Sequence, residues 1–595
     1  MINSKEPRDL KDVLKLDASE VQLKHLKFFP AMTGWFEPTL LLKLLLNVII
    51  SKLFGQYADR RLTHAALDKQ TFEESRSTTD LRKDIGDDQG EVLIDYVADL
   101  GDGFDATYAV AYALAQPSLT LPEFERPLPR AHVLVMGGDQ VYPTAARDEY
   151  IARLRRPYEF AWPKSDSEKP RPLLVLPGNH DWYDGLVVFL ALFCRSKSTR
   201  IGNWATRQRR SYFSARVTNN WYIWGIDIAL VRDMDQPQAD YFVDAANNMP
   251  DGANIILCSA EPGWYEAEKE GDSFRTLGYA SQIAENADKH LRIPLVLSGD
   301  SHHYARYQGA NSQFITSGGG GAFVHGTLEL KDSISTDWLK ERDATLSLQA
   351  EYPSKEESRR LLRERSRFFH KNPGLSYVLG SFYAMCCFVL TQAPIPETIV
   401  GTWLMLFLAF WGYFGYQEGR FSAATMLYSA AHALVHFAAI VILSTVLWLV
   451  RENLLILGSH WLLWALVVAF PVLPLGARIG GWIFGKYLQL ACLHLNRCHN
   501  DAFSAMRLDT HRHFLRMRIV GDVLTICPIC IDQPPSRAAW QTNDERSPDK
   551  PSLFVPPRKF KPRLLEPAIV IAAEESLSSA DVDPSAEISQ RKDDQ

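Results

Sequence analysis

The sequence predicts an α/β domain followed by an all-α, polytopic membrane domain, and three observations carry that prediction. Between about residues 90 and 330, short β-rich apolar runs alternate with helix-like stretches, and the runs end in polar residues. From about 375 to 495, Leu, Ala, Val, Phe and Trp dominate in runs long enough to cross about 30 Å of hydrocarbon. Between the two lies a charged, helix-prone stretch ending in RRLLRERSRFFHK, Arg359 to Lys371. A chain of 595 residues is too long for one ordinary domain. Its net charge of −6 gives no reason to expect a nucleic-acid partner.

In chain order, the reading begins with an N-terminal helical segment over 1–84. It starts without the apolar core and cleavage site of a signal peptide. Its apolar block TLLLKLLLNVIISKLF (Thr39 to Phe54) is too short to span and carries Lys43 and Lys52, so an interfacial or core-packed helix is expected. The α/β domain covers 85–335. Its runs include VLIDYVAD, AHVLVMGGD, RPLLVLPGNHD, NIILCSAE and PLVLSGD, near-continuous apolar strands suited to a sheet covered on both faces. A basic juxtamembrane helix over 336–372 fits an anionic membrane surface.

The transmembrane helical domain covers 373–496, with candidate spans near 374–392, 398–416, 424–450, 454–471 and 472–495. The last carries Arg478 and Lys486 and is the weakest. The Arg-rich segment before the first span places the α/β domain in the cytoplasm. Five spans would leave the basic stretch MRLDTHRHFLRMRI outside, so four crossings are expected, with the last apolar segment in the interface. A cytoplasmic extension (497–572) and a disordered tail (573–595), rich in Ser and charge, complete the chain.

In sheets of this kind ligands gather at the carboxyl ends of strands. Taken in order, those ends offer Asp99 and Asp102; Asp139 and Tyr142; Asn179, His180 and Asp181; Glu261; and Asp300, His302 and His303. Carboxylate, amide and one or two imidazole donors suit divalent ions, and two such ions share a bridging carboxylate. Each piece alone is ordinary turn or cap chemistry. Four in one order, each closing an apolar run, are hard to explain that way.

This order of GGD, GNHD and a late Gly-x-x-His resembles the calcineurin-like metallophosphoesterases, and GGDQVY with DLG is closest to the purple-acid-phosphatase variant. The resemblance covers about 90–330. It implies a four-layer α/β/β/α sandwich and two divalent ions, Asp139 bridging, Asp99 and His302 on the first, Asn179 on the second. His180 would contact phosphate and protonate the leaving oxygen, Asp181 would orient its ring, and a metal-bound hydroxide would attack phosphorus. His303 and Arg306 are expected at the substrate, since guanidinium matches phosphate geometry.

Three positions depart from the family pattern. Gly101 stands where Asp-x-His has its imidazole, leaving Tyr142 or Asp102 as replacement oxygen donor. Ala260 or Glu261 stands where a ligand histidine precedes proline. Asp300 replaces a third imidazole. An oxygen-rich site favours Mn or Fe over Zn.

The implied function is a membrane-anchored, metal-dependent phosphoesterase acting on a phosphoester at a dinuclear site, and membrane fusion makes a lipid-linked substrate attractive. The alternative is a catalytically degenerate membrane sensor or binding protein. Among the remaining polar residues, Asp227 and Asp235 read as turn and cap groups, His325 as a structural or mouth residue, and His432 with His436 as a hydrogen-bonded seam between helices. The eight cysteines form no disulfide framework, and CPIC (Cys527 to Cys530) reads as packed thiols rather than a zinc site.

Overall fold

The computed structural model describes residues 7–44, 46, 78–86, 90–195, 197–229, 232–269, 272–336, 338, 344–365, 367–417, 421–453 and 460–572. Two mixed sheets dominate. Sheet 1 runs Thr79–Asp80, Phe213–Arg216, Trp221–Ile226, Asn254–Ser259, Arg292–Ser298, Gln313–Ser317, Tyr304–Gln308, Ala344–Tyr352, Ser333–Thr336. Sheet 2 runs Arg563–Leu564, Val523–Ile531, Arg512–Val520, Glu91–Val97, Val133–Met136, Arg171–Val175, Trp204–Thr206, Arg200–Ile201, and Ile569–Ile571 also pairs with Val523–Ile531.

Side-chain alternation builds the layers. Val133 and Val135 face the inner core between the sheets, while Leu134 and Met136 face the helices outside sheet 2. In sheet 1, Ile256 and Cys258 point inward and Ile255 and Leu257 point to the outer layer, which holds the helices Gln236–Asn247 and Asp272–Glu285. The helix Phe104–Ala115 covers sheet 2 through Phe104, Tyr108 and Leu114. Three apolar seams thus separate four layers, the α/β/β/α sandwich expected.

The sheets take in more chain than 85–335. Ala344–Tyr352, expected inside a juxtamembrane helix, pairs antiparallel with Tyr304–Gln308, and the α-helices described there are Lys355–Arg365 and Phe368–Lys371. Within 497–572, Arg512–Val520 pairs antiparallel with Glu91–Val97, placing Leu515 opposite Tyr96 and Val520 opposite Glu91. Its period-two pattern explains this: Leu515, Met517 and Ile519 fill the inner core, each burial worth about 1.5–3 kcal/mol. Arg516 is buried between them in sequence and grips Asp95 with two bonds of 2.8 Å. Val523–Ile531 continues the sheet and buries the CPIC cysteines as free thiols.

Among the described residues, four helices are long and apolar enough to cross a membrane: Pro373–Gln392, Pro396–Tyr416, Ala423–Asn453 and Trp461–Leu495. The spans expected near 454–471 and 472–495 are one helix from Trp461 onward, running through Pro471 and Pro474; neighbouring helices make prolines tolerable there. The last apolar segment is therefore no separate interfacial piece. Four helices agree with the sheet pairing, because an even number of crossings returns the chain to the side it left.

At the N-terminus, Val13, Val21, Leu26 and Phe29 pack onto the outer core of sheet 2. Of the apolar block at 39–54, residues 39–44 and 46 are helical, with Leu42 and Leu46 more than half exposed, and the remainder lies outside the described residues. The tail at 573–595 lies outside them too.

Candidate active site

Asp99 follows Glu91–Val97, Asp139 follows Val133–Met136, Asn179 and His180 follow Arg171–Val175, and Asp300 and His302 follow Arg292–Ser298. The backbone of four of these residues is left-handed: φ is +57° at Asp99, +46° at Asp139, +67° at Asp300 and +50° at His302. Non-glycine residues visit that region at a cost on the order of 1–3 kcal/mol each, and such strain clusters at functional sites. Here it turns each side chain sharply off its strand toward one place.

Hydrogen bonds lock the group. The Asp99 carboxylate accepts the backbone N–H of Asp300 at 2.9 Å and of His302 at 3.3 Å. Asp139 accepts the His180 N–H at 3.0 Å on one oxygen and the Tyr142 hydroxyl at 3.0 Å on the other. The same hydroxyl lies 3.0 Å from His302 Nε2. Glycines make room: a Cβ at position 178 would fall 2.0 Å from Asp139 Oδ1, and one at 318 would fall 2.1 Å from Asp99 Oδ2.

The donors fit a divalent cation. Asn179 Oδ1 is buried with no hydrogen-bond partner, which leaves a strong acceptor aimed at nothing the protein supplies. Burial, then the neighbouring Asp139 charge, raises the Asp99 carboxyl well above the usual range. Burial, then Glu261, Asp139 and Asp99, does the same to Asp300. Burial holds His302 well below the ordinary imidazole value, in the neutral form a metal takes. Among the described residues no three His, Cys, Asp or Glu side chains form a metal-holding group by themselves. The phenol of Tyr142 and the amide of Asn179 complete the donor set.

Other candidates have different partners. Asp181 is spent inside the loop, accepting the N–H of Gly178 at 2.8 Å and of Gln140 at 3.1 Å, plus the Tyr150 hydroxyl. It holds the turn, and the His180 ring is instead positioned by the Pro143 carbonyl, 3.2 Å from Nδ1. Asp102 accepts the Thr33 N–H at 2.7 Å and pairs with Arg153, so Tyr142 is the oxygen donor that joins the cluster. Glu261 stands beside Asp300 and pairs with Arg232 at 3.3 Å.

Neither expected substrate contact reaches the cavity wall. His303 is buried against the Tyr265 hydroxyl at 3.2 Å, and Arg306 forks onto Glu566 at 2.9 and 2.7 Å. Asp227 accepts the Trp182 indole N–H, Asp235 caps Gln236–Asn247, and His325 packs against Phe503. In the membrane bundle His432 and His436 lie Nε2 to Nε2 at 2.9 Å, with Tyr383 on His436 at 2.7 Å, the expected seam.

At Gly101 a Cβ would fall 2.7 Å from the Gln140 carbonyl, so an imidazole there would require the backbone to shift. Asp139, Asn179, His180, Asp300 and His302 open onto a cavity of about 660 Å³. Its wall also holds residues that sequence reasoning missed. Trp35 stands edge-on to His180 at 5.6 Å between ring centroids, its indole N–H buried without a partner. Phe323 stands edge-on to His302 at 4.6 Å, and Asp501 from the post-membrane segment receives the Tyr413 hydroxyl. The TGWFEP stretch around Trp35 carries no periodicity, so only its aromatic pair could have flagged it.

Residues 93–304 match the family model for calcineurin-like phosphoesterases. No curated protein matches the chain. A solved structure described as GAP50, the anchor in the inner membrane complex of Plasmodium, is similar over 43% of this chain and 78% of its own, with 13% identity and a TM-score of 0.29.

Proposed function

Because residues 93–304 carry a calcineurin-like phosphoesterase domain, we propose that this chain is a membrane-anchored phosphoesterase whose dinuclear site faces the cytoplasm. The observation that carries the reading is the convergence of Asp139, Asn179, Asp300 and His302 on one cavity, three of the four on strained left-handed backbone. Divalent ions held by Asp99, Asp139, Asn179 and His302, with Tyr142 and Asp300 as further oxygen donors, would polarise the phosphoryl group and activate water. Oxygen-rich donors favour Mn or Fe over Zn.

The chain's own groups do the rest. The Pro143 carbonyl can only accept, so His180 Nδ1 carries a proton and Nε2 is the atom left to serve the cavity. In its protonated form the ring delivers the Nε2 proton to the departing oxygen. Asp181 keeps the GNHD turn in place, and Trp35 closes one side of the ring against water.

The second reading, a sensor that binds phosphoesters without turnover, draws on Gly101 and Ala260, which supply no imidazole. Full-length protein, stripped of metal and reloaded with Mn²⁺, Fe²⁺ or Zn²⁺, separates the two on 4-nitrophenyl phosphate and bis(4-nitrophenyl) phosphate. Turnover with Mn²⁺ that falls at least about 100-fold in Asp139→Asn and His180→Ala is expected. No turnover with any ion, or equal rates in both variants, overturns the phosphoesterase reading.

A further inference from the structure

The cavity is far larger than a phosphoryl group requires and lies within the roughly 300–1,000 Å³ typical of sites that enclose a whole small ligand. Its lining differs in chemistry from one part to another. The polar end is the cluster of Asp139, Asn179, His180, Asp300 and His302. The apolar end is walled by Leu375, Leu379, Ala409, Phe410 and Phe484, and the Tyr413–Asp501 pair adds a polar group to the same lining.

Those apolar residues belong to three of the helices long enough to cross a membrane. Leu375 and Leu379 lie in the first two turns of Pro373–Gln392, and Ala409 and Phe410 lie about two turns from the end of Pro396–Tyr416. Odd helices begin, and even helices end, on the side that carries the sheets. The apolar end therefore reaches roughly 10 Å along the bundle from that side. Leu41 also lines the cavity and is 39% exposed, and its neighbours Leu42 and Leu46 are 61% and 52% exposed. An apolar strip of that kind beside the opening suits a bilayer surface.

We propose that the substrate is a phosphoester carried on a long alkyl or acyl chain, a membrane lipid whose phosphate enters the polar end while its chain lies between the first and second membrane helices. The proposal rests on the phosphoesterase reading. A water-soluble phosphoester would leave the part-exposed Leu375 and Leu379 facing an unfilled cavity, whereas a lipid chain covers them. Each methylene that enters the apolar end favours binding about fourfold, so a few buried carbons decide which substrate wins.

The test uses full-length protein in lipid nanodiscs with two diesters that share a leaving group, 4-nitrophenyl ethyl phosphate and 4-nitrophenyl hexadecyl phosphate. A hexadecyl-to-ethyl ratio of kcat/KM above about 100 is expected. Leu379→Trp, which fills the apolar end, should lower that ratio at least tenfold. Val400→Trp, on an exposed face of the second helix, should leave it unchanged and so removes simple partitioning into the bilayer as the cause. A ratio near one, or equal ratios in Leu379→Trp and the parent, overturns the lipid proposal while leaving the phosphoesterase intact.

If neither diester turns over, the phosphoesterase reading is decided by 4-nitrophenyl phosphate as above, and the cavity is tested by binding. A phosphatidic acid with a diazirine on its acyl chain should crosslink to the peptide containing Ala409 and Phe410, and less so in Leu379→Trp. Crosslinking spread evenly over the membrane helices overturns the proposal.

Discussion

Sheet 1 is assembled wholly from residues that precede the membrane helices, whereas sheet 2 draws strands from both sides of them. Sheet 1 ends with Ala344–Tyr352; sheet 2 is completed by Arg512–Val520 and Val523–Ile531, with the Asp95–Arg516 pair joining residues 421 positions apart. The four helices are thus an insertion in one domain rather than an appendage after it. Both ends of the bundle are clamped to the sandwich, and a cavity shared by the two follows from that clamp.

The largest test removes the clamp. A chain truncated after residue 496, or residues 85–335 expressed alone, leaves Glu91–Val97 as an unpaired edge with Ile94 and Tyr96 uncovered. Size-exclusion chromatography and limited proteolysis should find aggregated or protease-sensitive protein, and co-expressing 497–572 as a separate polypeptide should restore a compact one. A stable, monodisperse 85–335 would show that sheet 2 does not need its returning strands.

Single ion pairs sharpen the contrast between the sheets. Arg516→Met strands the fully buried Asp95 and should cost about 3–5 kcal/mol in denaturant unfolding. Arg306→Met, on sheet 1, breaks a pair that keeps some contact with solvent and should cost about 1.5–3 kcal/mol. Replacing Asp95 by Leu together with Arg516→Met should recover most of the first loss, since two matched apolar groups bury well.

The sheets also differ in their response to acid. Burial lowers His132, beside Val133–Met136, and His511, beside Arg512–Val520, each to about 4. Their unfolded value is about 6.5, so the unfolded chain binds protons that the folded one refuses. Stability from these groups is complete above about 6.5 and is lost as pH falls toward 4. On sheet 1's side, exposed His290 is raised by Asp251, so its contribution is present in acid and fades as pH rises. Thermal midpoints should drop between pH 7 and pH 5. The drop should shrink in His132→Asn, whose amide oxygen can still accept the Leu93 N–H that now reaches Nδ1 at 3.0 Å.

Much of the site was readable before any coordinates. Asp99, Asp139, Asn179, His180 and His302 each close an apolar run, and the turn that carries each side chain off its strand is a local event encoded within a few residues. Arg306 and Asp181 were misread for the opposite reason. The Glu566 that occupies Arg306 lies 260 residues away, and the Gln140 and Tyr150 groups that occupy Asp181 come from 41 and 31 residues earlier in the chain. A motif names a residue type at a position but not what that residue will meet.

By itself the sequence determined element type, the strand-end donors and an apolar region of membrane-crossing length, because helix and strand periods and turn chemistry are short-range. It even held the period-two alternation of Leu515, Met517 and Ile519 with Arg516 and Arg518, which marks a strand. Only the tertiary structure decided which sheet that strand joins, that the prolines at 471 and 474 lie within one helix, and that Trp35, Phe410 and Asp501 share a wall. The physical reason is that a period of two assigns a face but not a neighbour. Neighbours are chosen by burial and hydrogen bonding between segments hundreds of residues apart, and it is those choices that join the candidate site to the four-helix bundle.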